Sequence, residues 1–79
     1  MTKQIIQALE AALGTDDFAA VLEEVKKVRG LDIVDVAKEF TRGRRQPTKN
    51  KALKQIWSRH QSIVLFKARL RAIGNRSAA

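Results

Sequence analysis

The chain reads as an all-α protein, a small bundle of three or four helices with a long basic C-terminal helix. Three observations predict this. Apolar residues recur at helical spacing in four successive segments. Residues that start and stop helices punctuate those segments. The chain is 79 residues long and 44% hydrophobic, enough for one thin core that dimerisation would enlarge.

In the first segment, Thr2 is positioned to cap a helix. Ile5, Leu9, Ala12 and Leu13 share one face, and Gly14 reads as the stop. Thr15 reads as the N-cap of the second helix, with Asp16 and Asp17 in a first turn where the macrodipole favours anions. Phe18, Val21, Leu22, Val25 and Val28 form its buried stripe. Lys26, Lys27 and Arg29 stand at its end, before Gly30.

Asp32 starts a third helix with Ile33, Val36, Ala37 and Phe40 on its apolar face, and Arg42-Gly43 ends it. A loop follows, because Gln46 precedes Pro47 and is biased away from helical geometry. Thr48 caps the last helix, whose apolar face holds Leu53, Ile56, Trp57, His60 and Val64; Trp57 is expected in the core.

Beyond Val64 the pattern changes. Phe66, Ala68, Leu70 and Ala72 alternate with Lys67, Arg69 and Arg71, a strand-like period. No other segment offers a strand to pair with, so helix is the better reading. A break near Ser62 would give two helices, 48–60 and 63–73, with Gly74 as the stop. Residues 1–74 are then one helical domain and 75–79 a disordered tail.

Charge is segregated. The net charge is +8, but all eight acids lie before Phe40, and from Phe40 onward there are eleven cations and no acid. Such asymmetry points to a polyanionic partner. The densest stretch, TRGRRQPTKNK, holds Arg42, Arg44, Arg45, Lys49 and Lys51. Lys49 and Lys51 occupy the first turn of the last helix, where cations oppose the macrodipole at about 0.3–1 kcal/mol each. A local rule broken in this way marks a candidate functional site. A helix N-terminus surrounded by cations suits phosphate oxygens. Lys54, Ser58, Gln61 and Arg69 continue the same side of the helix as a cationic ridge.

Catalysis has few parts to draw on. His60 is the only histidine and falls on an apolar face, so it reads as a packed or rim side chain. Glu23 and Glu24 read as a solvated face rather than a metal site. The glycines sit at helix stops or in the loop, not in a phosphate-cradling cluster. There is no cysteine, which excludes disulfides and thiolate metal sites. No apolar run approaches the ~20 residues of a membrane span, and the start of the chain makes a poor signal peptide. No enzyme activity, metal or cofactor is expected, and a cytoplasmic location is.

Two short resemblances exist. LDIVDVAKEF followed by a second helix resembles the first helix of a helix-turn-helix, with Ala37 at the small-residue position; the connection from Thr41 to Pro47 is longer than the family's turn. Arg42-Gly43-Arg44 resembles the core of an AT-hook, with Arg45 where a proline should follow. Neither covers enough of the chain to transfer residue roles.

The expected function is therefore non-enzymatic nucleic-acid binding, DNA or RNA, through Arg42, Arg44, Arg45, Lys49, Lys51 and Lys54. The competing reading is a protein-interaction module or homodimeric adaptor that takes an acidic partner. A solubilising surface with no partner and a lipid headgroup surface stay open. The run Ile63-Val64-Leu65-Phe66 is apolar all round, so either a break near Ser62 re-aims the helix or a dimer contact covers Leu65 and Phe66.

Overall fold

The structure is a computed structural model that describes residues 2–78, with side chains described for 2–74. It contains four helices: α1 (Thr2–Ala12), α2 (Phe18–Lys26), α3 (Ile33–Thr41) and α4 (Lys49–Ala78). No strand occurs among the described residues. The three short helices pack together against the N-terminal half of α4, with α3 as its main neighbour.

Residues with short-range instructions behave as they should. Gly14, just past α1, takes the left-handed conformation that a glycine C-cap provides, at φ 78°. Thr15 joins two elements: its hydroxyl donates to the Ala12 carbonyl at 2.7 Å and accepts from the Asp17 N–H at 3.3 Å. Its own carbonyl accepts from Phe18 N–H. That tight turn delays α2, which begins at Phe18, so Asp16 and Asp17 precede the helix rather than filling its first turn. Similarly, α2 ends at Lys26, leaving Lys27 and Arg29 in the following turn. Asp32 caps α3 as expected, accepting from Val34 N–H at 3.0 Å.

The core is built from one face of each helix. Leu9 and Ala12 come from α1, Phe18, Leu22 and Val25 from α2, and Ile33, Val36, Ala37 and Phe40 from α3. From α4 come Ala52, Ile56 and His60. Phe18 sits at the centre: its ring lies 6.2 Å from Phe40, 5.9 Å from Trp57 and 4.2 Å from the His60 imidazole, which stacks parallel to it. Trp57 is 37% exposed and belongs to the rim, not the core, because it lies a third of a turn away from Ile56 on α4. Ala52, which has too small a side chain to stand out in the apolar pattern, is fully buried.

Past His60 the bundle ends and α4 does not. Ile63 is half-buried, and residues 64–74 are exposed on every side. The molecule measures 52 × 21 × 18 Å, and the long axis reflects this projection. The expected break near Ser62 is absent. A serine lacks the missing donor and ring clash with which proline breaks a helix, and the helix continues. It also runs through Gly74 instead of stopping there. A glycine inside a helix costs about 1 kcal/mol relative to alanine, which its neighbours can absorb. Ala79 and the side chains of 75–78 lie outside the described residues, and with them the expected tail.

Candidate functional site

The basic loop is built by three local devices. Thr41 closes α3, its hydroxyl donating to the Ala37 carbonyl. Arg42 then takes the left-handed conformation at φ 54°, so the arginine and not Gly43 reverses the chain. Gly43 gives the Gln55 side chain room: a Cβ there would stand 2.6 Å from Gln55 Nε2, the end of a flexible side chain that would have to shift. The loop lies close on α4, and Gln55 Nε2 donates to the Arg44 carbonyl at 3.3 Å. Thr48 caps α4 as expected, accepting from Lys51 N–H at 3.2 Å.

This anchoring leaves Arg42, Arg44, Lys49, Lys51 and Lys54 exposed around the start of α4. None of the five forms an ion pair among the described residues. The first turn of α4 contains no acid to answer Lys49 and Lys51. Ser58, Gln61 and Arg69 are exposed further along the helix.

Arg45 differs from its neighbours. Its guanidinium turns back onto the start of α3, pairing with Asp35 and, at 3.1 Å, with Asp32. Those acids are placed there by the same macrodipole logic that governs helix starts. Asp32 is thus both the cap of α3 and an anchor for the loop. No sequence rule links positions 32 and 45, because the pairing depends on the loop folding back along α3. Arg59 is also engaged internally: it donates to the Phe40 carbonyl, stacks 4.4 Å above the Phe40 ring and approaches Glu10 at 3.8 Å. It satisfies a carbonyl at the end of α3 that the helix leaves open.

His60 is 6% exposed and stacked on Phe18. Gly14 N–H donates to its Nδ1 at 3.0 Å, so the neutral ring carries its proton on Nε2. Burial, and then the charge of Lys67, lowers its pKa below the ordinary 6.5. It joins the α1–α2 turn to α4. Among the described residues, no group of three or more His, Cys, Asp or Glu side chains could hold a metal ion, and no helix is long and apolar enough to cross a membrane.

One feature absent from the sequence pattern is an open groove of about 360 Å³ between α2 and α4. Leu22, Leu53 and Trp57 form its apolar wall, and Lys26 and Lys54 stand at its rim. It arises from how α2 is set against α4, which periodicity along either helix cannot report.

No protein-family model matches the chain, and no curated protein or solved structure is detectably similar to it.

Proposed function

We propose that the protein is a non-enzymatic nucleic-acid-binding domain of the cytoplasm, which holds the phosphate backbone at the loop and first turns of α4. The observation that carries this reading is the set of five exposed cations without ion-pair partners among the described residues, Arg42, Arg44, Lys49, Lys51 and Lys54, gathered about a capped helix start. Acids are available in the same molecule, and Asp32 and Asp35 do neutralise Arg45. The other five form no ion pair with an acid among the described residues, and their mutual repulsion is one that a bound polyanion would reverse. Exposed N–H groups at the helix start add to the same potential. Binding of this type releases counterions and reads shape and charge before sequence.

The test is the affinity for a fluorescent 20-base-pair duplex and a hairpin RNA across a salt series. With three to five cations engaged, log K against log salt for duplex DNA should slope at about −3 to −4.5. Replacing Arg44 and Lys51 by alanine should lower that slope by about two. Arg45→Ala should leave the slope nearly intact and change stability by no more than about 0.5 kcal/mol, since the pair is half-exposed. Undetectable binding at low salt, or binding indifferent to salt, would refute the reading.

A further inference from the structure

The projecting half of α4 repeats a pattern that its packed half uses. Ile63, Phe66 and Leu70 are spaced three and four residues apart, and Ile73 takes the next position in that register. In heptad terms they are a, d, a and d. Ile63 begins under the α1–α2 turn, where a Cβ on Gly14 would come within 2.7 Å of its Cγ2. The stripe then leaves the bundle: Phe66 is 58% exposed and Leu70 51%. Its flanks are also defined. Lys67 falls at position e and Arg69 at g, and no acid lies anywhere on this half.

We propose that this stripe docks an amphipathic helix of another protein that carries apolar a and d residues with glutamates at e and g. The charges select the occupant. In a parallel pair of two copies, each g position faces the e position five residues on, so Arg69 would face Gly74 and Lys67 would face Ser62, and no opposite charge would answer either cation. In an antiparallel pair, like positions would face like, so the charged contacts would set lysine against lysine and arginine against arginine. Charges at e and g decide partner choice in helical pairs, so a second copy is disfavoured and an acidic helix is favoured. The exposed stretch is short, about 16 Å of helix, which fits a weak, exchangeable contact rather than an obligate one.

The probe is a designed 21-residue helical peptide with leucine at a and d and glutamate at e and g, titrated against the full chain by fluorescence anisotropy. A second peptide has lysine at e and g. The acidic peptide should bind, and the basic one at least about tenfold more weakly, because like charges face each other. Phe66→Ser with Leu70→Ser should abolish binding without moving the thermal midpoint, since both side chains are exposed. Arg44→Ala with Lys51→Ala should leave peptide binding unchanged, which separates this contact from attraction to the loop. Three results would overturn the proposal. Equal affinity for the two peptides, or none for either, removes the charge selection. Loss of binding in the loop variant reduces it to general polyanion attraction. Self-association in sedimentation that the Phe66 and Leu70 substitutions abolish makes a second copy the occupant.

Discussion

Residues 49–60 and 64–74 of α4 share one helical backbone and one sign of charge, yet their surroundings differ in kind. The first stretch inserts Ala52, Ile56 and His60 into a core shared with α1, α2 and α3. The second buries nothing: Leu65 is 60% exposed, and Phe66 and Leu70 are little less so. The difference lies in the partners, not in α4. Helices of nine to eleven residues are only about 14–16 Å long, whereas α4 has 30 residues. The short helices therefore run out near Ile63. An apolar period along a helix shows where a partner would fit. It does not show that the same chain supplies one.

Substitutions in the two halves should separate them widely. Ile56 is fully buried, so Ile56→Ala should cost about 3–5 kcal/mol through lost burial and a cavity. Leu70→Ala should stay within about 0.5 kcal/mol. Urea denaturation of both variants measures the contrast. Similar losses would mean that the projecting half contributes to the folded core after all.

The boundary between the halves is sharpened by two glycines. Gly14 and Gly30 both have positive φ, 78° and 76°, so alanine is strained at either. Only at Gly14 would the new methyl also meet Ile63 and Lys67; nothing stands near Gly30. Gly14→Ala should therefore cost about 2–3 kcal/mol, and Gly30→Ala about 1 kcal/mol. The excess measures how tightly the α1–α2 turn seats on α4 where the bundle ends. Equal losses would show that this seat is loose.

The smallest effect concerns His60, within the packed half. Its pKa is lowered in the fold by burial and by Lys67. The unfolded chain therefore takes up a proton at a higher pH than the folded one. Stability should fall as pH drops below 6.5, and it should be fully present above that value. Urea midpoints at pH 7.5 and 5.5 read this change before most carboxylates titrate. His60→Gln should flatten the dependence, because no other histidine is present.

Much of the bundle was legible because its instructions are local. Asp32 and Thr48 act as caps within three residues of themselves, and Gly14 ends α1 by its own backbone freedom. The face Ile33, Val36, Ala37 and Phe40 follows from helical spacing alone. What escaped depends on distance between elements. Arg45 looks identical to Arg44 in the sequence, and only the fold-back of the loop gives it Asp32 and Asp35. Trp57 looks like core until α2 is placed and leaves one side of the indole open. The break expected at Ser62 was inferred from an apolar run that one packed face cannot hide. The structure leaves that run exposed on an unbroken helix and does not re-aim it.

The continuity of α4 has a consequence in helix–coil terms. Starting a helix is the improbable step, with a nucleation constant of about 10⁻³, whereas each added residue is nearly neutral. An isolated segment of the projecting half's length would be mostly coil in water. Here the packed turns through His60 serve as a permanent nucleus, and residues 64–74 are reached by propagation alone. The apolar stripe is thereby displayed in helical form before anything binds it. Helix content in this half is then set at its base, so its order and the stability of the bundle rise and fall together.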